Sequence, residues 1–153
     1  MTPDFDSATM RAAEKRTETG SRPGTRRAVR PAPRPDLSGC RLARPGWPDI
    51  YLVDPAGYRR RILNQATYDR LFRDWSGIID VLDLENIAER APLDANTMLI
   101  QGDADETIYL LDGHVRRALT HRSVMEKYWF NWDRVSLVRQ RLVEQVPLGE
   151  PWE

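Results

Sequence analysis

The chain has 153 residues, 41% of them hydrophobic, which is enough for one domain or two small ones around a buried core. Its single cysteine, Cys40, excludes an internal disulfide framework. No segment approaches the roughly 18 apolar residues of a membrane helix, and the first twenty residues lack the apolar stretch of a signal peptide, so a cytoplasmic protein without membrane insertion is expected.

The net charge of zero hides a split. Residues 1–44 carry ten Lys or Arg against five Asp or Glu, and residues 45–153 carry thirteen against eighteen. Residues 1–38 lack hydrophobic periodicity, and "SRPGTRRAVRPAPRPDLSG" (21–39) is rich in Pro, Gly and Arg. Proline biases both itself and its predecessor away from helix, so residues 1–38 are expected to be a disordered basic arm. Arg22, Arg26, Arg27 and Arg30 are its candidate contacts for an acidic partner, or for nonspecific contact with nucleic acid. The plain alternative is a solvated tail that lies on its own acidic body.

From Gly39 onward the chain spells a similar message twice, as repeat 1 (39–96) and repeat 2 (97–153). "IYLVDPAGYRRRIL" begins at Ile50 and "IYLLDGHVRRAL" at Ile108. Asp54 matches Asp112, Gly57 matches Gly113, Arg60-Arg61 match Arg116-Arg117, Trp75 matches Trp132, and Pro92-Leu93 match Pro147-Leu148. This many matches in one order indicate duplication.

Each copy predicts short strands at 40–44, 50–53 and 58–63 in the first, and at 97–101, 108–111 and 114–119 in the second. Asp-Gly between apolar runs is a strong hairpin signal, so each set forms a three-stranded antiparallel meander. A helix follows. Tyr68, Leu71, Phe72 and Trp75 fall at i, i+3, i+4 and i+7, as do Met125, Tyr128, Trp129 and Trp132. Asn64 and Thr120 are the expected N-caps. Short apolar segments (78–82, 135–138) lead into second short helices (84–90, 140–145), and Pro92 and Pro147 close the copies. The expected fold class is α+β. A thin meander with one helix leaves an apolar face open, so the copies should pair pseudo-symmetrically around one core.

Few residues suggest chemistry. Trp75 and Trp132, at helical spacing, are expected in the core. Trp47, Trp129 and Trp152 are not forced inward by periodicity and are the candidate stacking surfaces. Alternation puts neighbouring arginines of the third strands on opposite faces, one exposed and the other free to pair with an acid or to form an anion site near the pseudo-twofold. "QGDADE" (101–106) lacks the ligand pattern of a calcium loop. His114 and His121 accompany no nucleophile or metal-ligand motif.

The repeated pattern of apolar-Tyr-Leu-Val/Leu-Asp, then Gly, two basic residues and an apolar residue, a helix ending in Trp and a final Pro-Leu resembles tandem repeats of uncharacterised bacterial proteins. The resemblance spans about residues 39–151 and carries no catalytic residue across. Together these observations predict a non-catalytic interaction module of a bacterial protein assembly with a basic tethering arm, a protein partner and no cofactor. The alternative is a carbohydrate or cell-envelope binding module, for which exposed Trp47, Trp129 or Trp152 would be the mark.

Overall fold

The computed structural model describes residues 30–153. Two mixed β-sheets face one another across a shared core, so the class is α+β, as expected, while the sheets themselves differ from simple meanders. The first sheet contains β1 (Arg41–Ala43), β2 (Ile50–Val53), β3 (Arg59–Ile62), β4 (Ile79–Asp80) and β5 (Glu89–Leu93), in the order β4-β1-β2-β3-β5. The second contains β6 (Met98–Gly102), β7 (Ile108–Asp112), β8 (Val115–Leu119) and β9 (Ser136–Val138), in the order β8-β7-β6-β9.

Hairpins make β1-β2-β3 and β6-β7-β8 antiparallel. Crossovers then return the chain parallel to an outer strand: β4 beside β1, β5 beside β3, β9 beside β6. A single parallel bridge, Arg116 to Leu148, extends the second sheet beyond β8.

The run Ile50-Tyr51-Leu52-Val53 is apolar at every position because both of its faces are covered. Ile50 and Leu52 face inward, with Ile62, Leu99, Leu110 and Leu119, into the shared core. Tyr51 and Val53 face outward, where Leu84, Ile87 and Leu37 cover them. On the outer face of the second sheet, Ile100 and Tyr109 pack with Val143 of α3 (Gln140–Glu144).

The helices α1 (Gln65–Leu71) and α2 (Arg122–Lys127) add Tyr68, Leu71, Val124 and Met125 to the shared core. Asn64 caps α1 by accepting the Thr67 N–H at 2.9 Å. Thr120 does not cap α2. His121 takes that position without a side-chain cap, and the Thr120 hydroxyl lies 3.1 Å from Glu153 instead.

Both helices are shorter than their apolar stripes. Helix α1 stops at Leu71 because Phe72 turns extended and pairs with Phe130. Arg73 N–H donates to the Trp129 carbonyl, and Asn131 N–H donates to the Leu71 carbonyl. Trp75 therefore lies beyond the helix, half-buried, with its ring stacked on Tyr68 at 3.9 Å. Trp132 is likewise half-buried and packs against the core from a 3-10 turn, Trp132–Arg134, rather than from a helix.

The helix predicted over 84–90 is a 3-10 turn, Leu84–Asn86, followed by β5. Pro92 explains this: it holds Ala91 extended and needs no N–H on the outer side of an edge strand. The boundary expected at residue 39 also lies further upstream. Ala32 bridges in parallel to Ile87, Arg34 N–H donates to the Gly57 carbonyl at 2.8 Å, and Leu37 packs on the outer core. Gly57, at φ +96°, is required here, since a Cβ would come within 2.3 Å of the Pro35 nitrogen.

Among the described residues no helix is long and apolar enough to cross a membrane.

Candidate binding cleft between the sheets

Strand register decides where the arginines go. Arg60 stands opposite Leu52 and Arg117 opposite Leu110, so both side chains share the inward face. Arg59 stands opposite Val53 and Arg116 opposite Leu111, on the outward face. The register thus sets Arg59-Arg60 beside Arg116-Arg117, one residue away from the match suggested by sequence.

The outward pair behave alike. The Arg59 guanidinium lies 4.8 Å from the Tyr51 ring centre, and Arg116 lies 4.7 Å from that of Tyr109. Arg59 Nε donates to the Ile87 carbonyl, and Arg116 Nε donates to the Val146 carbonyl.

The inward pair meet carboxylates. Asp54 and Asp112 sit at the same place in each hairpin, where the second strand enters its turn. One oxygen of Asp54 accepts the N–H groups of Ala56 and Tyr58, which folds the turn. Its other oxygen faces Arg60 Nη1 at 3.3 Å. Arg60 Nη2 reaches Asp112 of the second sheet at 2.5 Å, and its Nε donates to the Ala91 carbonyl. Asp112 also takes Arg117 Nε at 2.7 Å, and Arg117 Nη1 donates to the Glu150 carbonyl at 3.1 Å. The chain of contacts therefore runs Asp54–Arg60–Asp112–Arg117, alternating in sign.

Burial alone pushes the Asp112 carboxyl up. The hydrogen bonds and charges of Arg60 and Arg117 outweigh it and hold this group below the usual carboxylate range.

Beside this cluster lies a cleft of about 660 Å³. Arg90, Gly113, Pro151 and Trp152 complete its walls, and Glu150 and Glu153 stand at its edge. Arg90 lies over the Tyr58 ring at 3.6 Å.

The tryptophan candidates fall in three places. Trp152 is only 1% exposed, is tilted against Tyr128 in the core, and lies 5.8 Å from the Arg60 guanidinium. Its indole N–H has no partner. Its free-standing place near the C-terminus in sequence hides the Trp152 N–H to Ala118 carbonyl bond, which carries it back under β8. Trp129 is half-buried, at φ +61°, the one non-glycine residue with positive φ among those described. Arg73 covers it at 4.6 Å and its Nε1 donates to Asp74. Trp47 is half-buried with Arg44 over its ring at 4.4 Å. All three rings thus have protein neighbours on a face or on every side.

Asp74 is lowered by hydrogen bonds from Ser76 and Trp129, and Glu126 by those from Arg73 and Trp132, so these carboxylates are spent in tying α1 to α2. Arg30 is exposed, whereas Arg22, Arg26 and Arg27 lie outside the described residues. In "QGDADE", Asp103 accepts the Gln140 N–H at the start of α3, and no group of metal-ligating side chains occurs among the described residues.

Sequence reasoning singled out the arginines but not their partners or Arg90. The available signal was an aspartate at each strand end with an arginine five or six residues later, across the turn.

Comparison with protein-family models, with curated proteins and with solved structures finds no match to the chain.

Proposed function

We propose that this chain is a non-catalytic interaction module of a bacterial protein assembly, built as an internal duplication and tethered through its arginine-rich N-terminal residues. Several features support the duplication. Both sheets run outer strand, first, second and third strand in the same order. The Arg-over-Tyr contacts and their backbone acceptors recur. The Phe72–Phe130 bridge exchanges two reciprocal backbone bonds, as a local twofold would.

The observation that carries the interaction reading is the state of the sheet edges. The outer strands β4 and β9 present Ile79 at 47% and Leu137 at 70% exposure, and Leu82, just after β4, is 74% exposed. Open edges with apolar side chains are templates for another protein. The buried charges, meanwhile, are used to hold the two sheets together.

The test is capture of a partner from the native cell extract by the tagged full chain. It is repeated with Leu82→Glu, with Leu137→Glu and with residues 1–29 removed, at low salt and at 1 M salt. At least one edge variant should lose the partner, and removal of residues 1–29 should weaken salt-sensitive capture, since screening shortens electrostatic reach to about 3 Å at 1 M. Capture unchanged in all three would refute the proposal.

A further inference from the structure

The two halves differ in one respect that the duplication makes visible. In the first half, the chain segment Ala32–Leu37 lies along the outer face. Ala32 N–H donates to the Asn86 carbonyl, Ala88 N–H donates to the Ala32 carbonyl, and Arg34 N–H donates to the Gly57 carbonyl. Val53 and Ile87 beneath it are 0% and 2% exposed, and Gly57 is buried.

In the second half the corresponding ground is open among the described residues. A recess of about 420 Å³ is lined by Met98, Leu111, Gly113, Gln145, Val146 and Pro147, with Ala95 at its edge. By register Leu111 holds the place of Val53, and Val146 holds that of Ile87, since each gives its carbonyl to the equivalent arginine. Leu111 and Val146 are only partly buried and Gly113 is exposed. Ala95 precedes Met98 by three residues, as Leu37 precedes Cys40, so the sequence position that carries a leucine in the first half carries only a methyl here.

The cause is topological. The chain enters the first half freely from its N-terminal side. It enters the second half from β5, whose Leu93 is tied to Ile62 of the first sheet. The incoming strand is thus held away from the groove that its counterpart fills.

We propose that this recess is a peptide-docking groove. Its occupant is an extended, proline-bearing segment of another protein chain with a leucine-sized side chain, the chemistry of Ala32–Leu37. The inference rests on the duplication reading above. The Gln145 carbonyl stands where that of Asn86 accepts an N–H group, so the segment adds by backbone bonding beside Val146. One bond of the first half is missing, because Pro147 stands at the place of Ala88 and has no N–H. Binding in trans is therefore weaker than the intramolecular contact.

The probe is a synthetic peptide with the sequence of residues 30–38, titrated into the isotope-labelled full chain and followed by NMR. Saturable shifts should appear at the Met98 methyl and at Leu111, Gly113 and Val146. They should disappear with a peptide whose leucine is replaced by alanine. They should also disappear in Ala95→Leu, which fills the recess from within. The peptide substitution keeps the test sound if the Ala95→Leu chain folds poorly. Absence of shifts at millimolar peptide would overturn the proposal. So would shifts confined to Val53, Gly57 and Ile87, which mean exchange into the first groove, or binding that ignores both substitutions. Capture through the sheet edges is read separately, so failure here and failure of the interaction module remain distinct.

Discussion

Replacing Asp112 by alanine removes the carboxylate that joins Arg60 of one sheet to Arg117 of the other. The Arg60 and Asp112 side chains are each 5% exposed, so the lost bond lies where water has little access. Arg60 keeps Asp54 at 3.3 Å, and its charge is therefore not wholly stranded. Breaking a buried pair by removing one partner costs about 3–5 kcal/mol, and with Asp54 in place the lower end, about 3 kcal/mol, is expected. In a domain of this size that lowers Tm by about 10 °C. The assay is urea unfolding at pH 7 of Asp112→Ala, Arg60→Met and the double variant. The double variant should cost less than the sum of the two by about 1–3 kcal/mol, because removing both ions leaves less buried charge unpaired. A loss under about 0.5 kcal/mol for Asp112→Ala, or strict additivity, would show that the ion pair does not brace the sheets.

The same carboxylate sets a pH dependence. Its folded value lies below the ordinary one, so the unfolded chain binds more protons. The stabilisation is present above the ordinary carboxylate value and is lost as pH falls through the folded one. Asp112→Asn should flatten the acid side of a plot of urea midpoint against pH; an unchanged slope would contradict this. Gly57→Ala should release Ala32–Leu37, since its Cβ would meet Pro35, whereas Gly113→Ala meets nothing within 4 Å and should cost only about 1 kcal/mol of backbone strain. Limited proteolysis around residue 34 distinguishes the two, and equal cleavage would count against the docked segment. Trp152→Ala should cost about 3–5 kcal/mol by thermal unfolding, as for other buried aromatics. Trp75→Ala should cost less, because the ring is only partly buried, and the reverse ranking would mean that burial does not govern the difference.

Much of the first-order fold was legible. Alternation and the Asp-Pro-Ala-Gly and Asp-Gly turns locate the six hairpin strands to within a residue or two, and the α+β class follows. What periodicity could not see was length set by partners. Tyr68 to Trp75 reads as one helix, yet Phe72 leaves it to pair with Phe130 across the molecule. Pro92 reads as a terminator, yet it sits inside an edge strand. Trp152 reads as a loose end, yet it is core, because one backbone bond to Ala118 draws it under the sheet. The arginines were visible as candidates, but only register distinguishes Arg60 from Arg59, and Asp112 reaches Arg60 from 52 positions away. Ala32–Leu37 carries too few apolar residues to advertise its own docking, and only Leu37 gives a hint.

The Phe72–Phe130 crossing has a consequence for how the chain can be divided. Each half contributes aromatic rings and a set of inward strand residues to a single shared core, so neither half can bury its own face. Cutting the backbone in the exposed turn at Ala95–Asn96 should yield two soluble-phase fragments that stay unstructured apart and become ordered only on mixing. Their recovery should follow second-order kinetics, with a rate proportional to fragment concentration. The molecule is in that sense a heterodimer whose subunits happen to share one peptide chain, and its two parts could be recoded as a conditional pair that reports when two other proteins are brought together.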